Sequence, residues 1–181
     1  WDTVEEASVF TDEERLRITN MLLQFLRSLV DQTYEYEGLE DNQGIVWNHT
    51  TFPLLGLYWG GRYFIAHYGL DECDTYLRKA KGAFRGQVRC WKPQCDADGY
   101  LVLTIGHTIE YALAESRSHF FESGNIDRYA DYLMGISDNL GRSSGFGDSG
   151  LINNHRIPAS GVPEAFWYSR DPRLLGYMRQ V

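Results

Sequence analysis

Hydrophobic positions recur at helical spacing near the start of the chain. From about Thr11 to Asp31 the apolar residues lie three or four positions apart, which predicts an amphipathic helix. They are Leu16, Met21, Leu22, Phe25, Leu26, Leu29 and Val30. Thr11 and Glu14 have the spacing of a capping box, in which each side chain bonds the backbone amide of the other residue. The sequence therefore predicts that this helix begins just after Thr11.

Five further helices follow from the same pattern, with proline near helix starts and glycine near helix ends. We expect them at Thr51 to Gly69, Asp71 to Arg89, Thr104 to Glu122, Ile126 to Leu140, and from about Pro163 onwards. Alternating apolar and polar residues are almost absent, so the predicted fold class is all-α, built from helical hairpins. Polar segments at 35–44, 90–99 and 141–160 are expected to be loops, the last one functional.

Composition and charge narrow the class of protein. Hydrophobic residues make up 43% of the 181 positions, enough for a packed core, so we expect one helical domain over residues 1–181 with no internal linker. No apolar run is long enough to predict a membrane span, and a soluble chain with no membrane partner is expected. Seventeen Lys and Arg against 25 Asp and Glu give a net charge of -8, without a basic run. Nucleic acid is therefore not an expected partner.

The cysteines and histidines show no metal-binding pattern. The three cysteines, Cys73, Cys90 and Cys95, are too few for a disulfide framework and have the wrong spacing for a zinc knuckle. Cys90 and Cys95 could pair in an oxidising compartment, and buried thiols are the alternative. No HExxH motif is present, so neither a metal nor another cofactor is predicted.

Two pairs of polar residues are candidates for chemistry. Asn48 and His49 stand side by side at the start of a predicted helix, where an amide and an imidazole can hydrogen-bond a carboxylate. His107 and Tyr111 lie four residues apart, so they share a helix face and could accept and donate a proton. The alternatives are structural: Asn48 would cap its helix, and His107 would lie inert in an aromatic core.

Three stretches together resemble the toroid domain of heparinase II/III-like and alginate-lyase-like polysaccharide lyases over roughly residues 10–150. They are Trp47-Asn48-His49-Thr50-Thr51-Phe52, Leu57-Tyr58-Trp59-Gly60-Gly61-Arg62-Tyr63-Phe64, and Asp98-Gly99-Tyr100 followed by the helix of His107 and Tyr111. The resemblance implies an incomplete (α/α) toroid of helical hairpins, of which this chain would be a section. It further implies a secreted or periplasmic protein whose partner is a downstream β-sandwich domain or the rest of the toroid.

The resemblance also implies a reaction, the β-elimination of a uronate-containing polysaccharide or oligosaccharide. Asn48 and His49 would neutralise the uronate carboxylate. Where the family has its catalytic Tyr, this sequence has His107 or Thr108, so His107, Tyr100 and Tyr111 are all candidates for the base. A histidine can act as a base near neutral pH without the large pKa shift that a tyrosine requires.

Five further residues are candidates for substrate binding. Trp47 and Trp59 could stack on sugar rings, and Arg62 could bind a second uronate with its forked guanidinium. Asp98 and Asp148 could bind sugar hydroxyls. Each has a structural alternative: core packing for the tryptophans, a surface ion pair for Arg62 and turn capping for Asp148.

Two other functions are consistent with the same residues. A helical glycoside hydrolase would draw its acid and base from the carboxylates of Asp96, Asp98, Glu110 and Asp148. A non-catalytic glycan-binding or scaffold fragment would use the cleft for binding alone. An unsaturated uronate product would distinguish a lyase from both.

Overall fold

In a computed structural model the chain has an all-α fold, as predicted. The structure describes residues 1–32, 45, 48–92, 98–138, 140, 142 and 161–179. Their helices are α1 Asp12–Gln32, α2 Asn48–Tyr68, α3 Glu72–Gln87, α4 Asp98–Ala114, α5 His119–Glu122, α6 Asn125–Ile136, α7 Val162–Ser169 and α8 Pro172–Met178. None of the described residues belongs to a β-strand. The toroid arrangement stays a prediction, and the expected loops at 35–44 and 143–160 lie outside the described residues.

The capping box at the start of α1 is confirmed. The backbone amide of Thr11 donates to Glu14 Oε2 at 2.8 Å, and the amide of Glu14 donates to Thr11 Oγ1 at 3.3 Å. These bonds satisfy two amides that have no partner within the helix. Local sequence therefore determined where α1 begins.

The predicted helix from Thr104 to Glu122 is wrong at both ends, because α4 begins at Asp98 and ends at Ala114. Ser116 takes a left-handed conformation with φ of 53°, and the amide of Arg117 donates to the carbonyl of Ala112 at 2.7 Å. This pattern is a Schellman motif, which terminates a helix. Glycine usually occupies the left-handed position, so a serine there gave no signal in the sequence.

The ends of the last helices also differ from the prediction. The predicted helix to Leu140 stops at Ile136, where Ser137 is extended with ψ of 140°. The predicted last helix is two helices, α7 and α8, because Arg170 is left-handed with φ of 61°. Pro172 then opens α8, and the Asp171 carboxylate caps it by accepting from the amide of Arg173 at 2.9 Å.

The internal contacts of the chain divide it into two compact units. Unit 1 comprises Trp1–Gly38 and Pro53–Gly82, and unit 2 comprises Leu39–Phe52 and Ala83–Val181. The boundaries fall inside α2 and α3, so each of these helices contributes to both units.

In unit 1, α1 and α2 pack closely at two glycines of α2. A Cβ atom at Gly56 would lie 2.9 Å from Leu29 Cδ1, and one at Gly60 would lie 2.5 Å from Leu26 Cδ2. Leu26 and Leu29 are both buried. The glycines thus leave room for leucine side chains that any larger residue would displace.

The N-terminal segment of unit 1 is held by the side chain of Glu5. Its carboxylate accepts hydrogen bonds from the hydroxyls of Tyr63 and Tyr68, and from Thr19 at 3.3 Å. Trp1 Nε1 donates to Thr19 Oγ1 at 3.0 Å. The bonds from Tyr63 and Tyr68 lower the pKa of Glu5 below its ordinary value.

Unit 2 has an aromatic core. Helices α5, α6, α7 and α8 contact one another in chain order. The fully buried large side chains include Phe84, Ile105, Tyr111, Phe120, Ile126, Tyr129 and Leu133. Gly161 has a φ of 88°, and a Cβ atom there would lie 2.6 Å from Tyr129 Cε1, so both conformation and space require glycine.

Among the helices that the structure describes, none combines the length and the apolar character needed to cross a membrane.

Gly60→Ala should lower the free energy of unfolding by about 1–2 kcal/mol, because the clash with Leu26 exceeds the gain in helix propensity. Gly82→Ala is the matched control, since Gly82 lies in α3 and nothing is within 4 Å of its added Cβ. That control should be neutral or stabilising by up to about 1 kcal/mol. Urea denaturation of both variants measures the difference, and equal effects would contradict the close packing.

Acid should destabilise unit 1 through Glu5. Because the pKa of Glu5 is lower in the folded chain, its stabilising contribution is present above about pH 4.5 and is lost as the pH falls through the folded pKa. Glu5→Gln should therefore reduce the loss of stability between pH 7 and pH 3, measured by thermal denaturation. Glu6→Gln, the exposed neighbour, is the control. An unchanged pH dependence in Glu5→Gln would contradict this role.

Candidate functional site

The most chemically suggestive contact in unit 2 is made by His107 of α4. Its Nδ1 lies 2.8 Å from Oγ1 of Thr51, at the start of α2. Its ring packs edge to face against Phe52, with 4.6 Å between the ring centres. Burial lowers the pKa of His107 below its ordinary value, and the negative charge of Glu110 opposes this. Burial therefore favours the neutral imidazole, which is the form that can accept a proton.

Thr51 connects His107 to the first residue of α2. The Thr51 side chain is fully buried, and its hydroxyl donates to the backbone carbonyl of Asn48 at 3.0 Å. A line of hydrogen bonds thus runs from Asn48 through Thr51 to His107. The structure brings together two residues that the sequence predicted separately as site residues.

Asn48 and His49 differ in their exposure. The side chain of Asn48 is buried, with 7% of its surface exposed, whereas His49 is exposed. Both belong to the first turn of α2.

Two buried threonines of α4 flank His107 in the sequence. Thr104 and Thr108 are fully buried, and the Thr108 hydroxyl donates to the carbonyl of Thr104 at 2.8 Å. Such a bond satisfies a buried hydroxyl within its own helix. His107 lies between them in sequence and stays partly exposed. The same helix thus has a buried face and a partly open edge that carries the imidazole.

The two candidate tyrosines lie in different environments. Tyr111 has no exposed surface and stacks on Phe84 with 4.9 Å between ring centres and 15° between ring planes. Burial raises the pKa of Tyr111. Tyr100, in contrast, is 41% exposed. A group that exchanges protons with a substrate has to touch it, so this geometry favours His107 and Tyr100 over Tyr111.

Trp59 and Arg62 lie in unit 1 and line a cleft of about 560 Å³. Its aromatic and charged lining includes Trp1, Asp2, Phe25, Trp59, Arg62, Tyr63 and His67. The guanidinium carbon of Arg62 lies 5.4 Å from the ring centres of both Tyr58 and Trp59. Its Nη1 donates to the hydroxyl of Tyr58 at 2.5 Å. The volume and aromatic walls are typical of a small-molecule or sugar site.

Several of the candidate residues lie outside the described residues. They are Trp47, Asp96 and Asp148, together with Cys95, which could pair with Cys90 in an oxidising compartment. Asp98 is the first residue of α4, but its side chain is likewise outside the description. Glu110 is exposed on α4. The described residues contain no cluster of three His, Cys, Asp or Glu that could hold a metal ion.

Sequence analysis missed the two residues that contact His107. Thr51 and Phe52 appeared only as the start of a helix, although they lie within the motif quoted for the lyase resemblance. The contact joins residues 56 positions apart, Thr51 and His107. No local sequence pattern predicts such a contact, because it depends on how α2 and α4 meet within unit 2.

Phe52→Ala should raise the pKa of His107 towards its ordinary value, because water would reach the imidazole where the ring now excludes it. Proton NMR titration of the imidazole measures this pKa. Leu113→Ala is the control, since Leu113 is 50% exposed on α4 and Phe52 is 51% exposed. A pKa that stays low in Phe52→Ala would show that this ring does not cause the shift.

The lyase resemblance rests on the motifs around Asn48, Arg62 and Tyr100. Comparison of the chain with protein-family models, curated proteins and solved structures gives no match.

Proposed function

We propose that this chain cleaves a uronate-containing polysaccharide by β-elimination, with His107 as the general base. The hydrogen bond between His107 and Thr51 carries the proposal, because it holds a neutral imidazole beside the turn that contains Asn48 and His49. A base and a set of carboxylate-binding donors are the two parts that this reaction needs. The sequence resemblance implies the same reaction and the same role for Asn48 and His49, and it leaves His107, Tyr100 and Tyr111 as candidates for the base.

In the first step, His107 takes the proton from C5 of the uronate. The electrons of the C5–H bond move onto the carboxylate as an enolate, so negative charge grows there. Asn48, His49 and backbone amides of the first turn of α2 would donate hydrogen bonds to that charge. Donors aimed at developing charge are commonly the largest single contribution to catalysis.

In the second step, the C4–O4 bond breaks and a C4–C5 double bond forms. The departing O4 takes one proton, so no water molecule and no cofactor is consumed. The imidazolium of His107 can supply that proton, and Tyr100 is the alternative donor because its side chain is exposed. Tyr111, buried against Phe84, is assigned to the core.

The cleft of unit 1 is proposed as an additional sugar-binding surface. Trp59 is 41% exposed and Arg62 lies across its ring, which fits a pyranose face and a carboxylate. A secreted or periplasmic location, and completion of the site by a β-sandwich domain or further toroid, belong to the same proposal.

The proposal predicts that the chain produces an unsaturated uronate, which absorbs in the near ultraviolet, from at least one of alginate, glucuronan, hyaluronan, chondroitin or heparan. His107→Gln should lower kcat/KM about 10²- to 10⁴-fold, the usual contribution of a general base. Asn48→Ala should lower it about 10²- to 10³-fold. His119→Gln, an exposed histidine of α5, is the matched control and should leave the rate unchanged.

Other outcomes select the competing functions. New reducing ends without ultraviolet absorbance would indicate hydrolysis and would direct attention to the carboxylates of Asp96, Asp98, Glu110 and Asp148. Binding of a glycan without any product would indicate a binding module. Full activity in His107→Gln would remove His107 as the base and leave Tyr100 as the candidate to test.

A further inference from the structure

We infer that Thr51 is a positioning residue that holds His107 as the tautomer protonated on Nδ1, which leaves Nε2 as the proton acceptor. The catalytic meaning of this inference rests on the proposed function, whereas the tautomer itself does not. Three atoms determine the tautomer: Nδ1 of His107, Oγ1 of Thr51 and the backbone oxygen of Asn48.

The Thr51 hydroxyl has one proton and two lone pairs. The carbonyl of Asn48, 3.0 Å away, can only accept, so the Thr51 proton must point towards it for that bond to exist. The proton of the second bond, 2.8 Å to His107, must then come from Nδ1. Both bonds are satisfied only if the imidazole is protonated on Nδ1.

The opposite tautomer would leave an unfavourable contact. If Nδ1 were the acceptor, the Thr51 proton would turn towards the ring, and two oxygens 3.0 Å apart would face each other without a hydrogen between them. Thr51 is fully buried, so water cannot relieve that contact. The opposite tautomer therefore loses the hydrogen bond from Thr51 to Asn48 and gains no bond in its place within a buried site.

The helix itself determines the direction of the Thr51 proton. The acceptor is the backbone of Asn48, three residues earlier in the same helix, and it cannot move without unwinding the first turn of α2. The orientation of the hydroxyl is therefore set within α2 and does not depend on His107. Nε2, at the other end of the ring, keeps its lone pair for a proton of the substrate.

Nitrogen NMR of histidine side chains tests the inference directly, without substrate. In the 181-residue chain, Nδ1 of His107 should have the shift of a protonated nitrogen and Nε2 that of an unprotonated nitrogen; His107→Gln assigns the signals. Thr51→Val, which keeps the shape but removes the hydroxyl, should shift the population towards the Nε2-protonated tautomer that free histidine prefers. Thr51→Ser should preserve the original tautomer.

Thr108→Val is the matched control. Thr108 is also a fully buried threonine that donates to a backbone carbonyl, and it follows His107 in α4. This variant should leave the His107 tautomer unchanged. At a pH where the imidazole is neutral, a proton on Nε2 instead of Nδ1 in the unaltered chain would overturn the inference. That result does not depend on whether any variant folds. An unchanged tautomer in folded Thr51→Val would also overturn it.

Activity assays distinguish a failure of this inference from a failure of the proposed function. Thr51→Val should lower the rate of β-elimination at least about tenfold, with Thr51→Ser close to the unaltered chain, because only the fraction with a free Nε2 can accept a proton. If the NMR result holds but no unsaturated product forms, the proposed function fails and the tautomer assignment stands. If lyase activity is present and Thr51→Val retains all of it, Thr51 is not a positioning residue.

Discussion

The site of unit 2 depends on the satisfaction of one buried hydroxyl. Thr51 has no contact with water, so its single proton and its lone pairs must find partners within the protein. The backbone carbonyl of Asn48 accepts the hydrogen bond from the Thr51 hydroxyl, and Nδ1 of His107 forms the second hydrogen bond to the Thr51 oxygen. This requirement ties the first turn of α2 to the edge of α4, and the orientation of the imidazole follows from it.

Burial has opposite consequences for the two titratable residues that share a face of α4. It lowers the pKa of His107 and raises that of Tyr111, since in each case the uncharged form is favoured. For His107 this favours the neutral imidazole. For a tyrosine it produces a more firmly protonated phenol, which here stacks on Phe84 inside the core. The two residues also differ in exposure, since His107 is partly exposed and Tyr111 is buried.

Unit 1 is organised by the close approach of α1 and α2 rather than by buried polar contacts. The glycines of α2 leave space for the leucine side chains of α1. The carboxylate of Glu5 accepts hydrogen bonds from the hydroxyls of Tyr63 and Tyr68, and these bonds hold the N-terminal segment. The resulting cleft carries Trp59 and Arg62 on its wall. Aromatic surface beside a guanidinium is a suitable lining for an acidic sugar, which links the cleft chemically to the proposed substrate.

The sequence by itself determined the helical class, the start of α1 at its capping box and the residues Asn48 and His107 as candidates, because periodicity, caps and residue chemistry are local properties. It did not reveal the end of α4 at Ser116, since a left-handed serine has no distinctive signal. Only the tertiary structure decided that Tyr111 is buried, that Tyr100 is exposed and that Thr51 contacts His107. Those facts depend on contacts between distant residues, and burial and hydrogen-bond partners are properties of the packed chain.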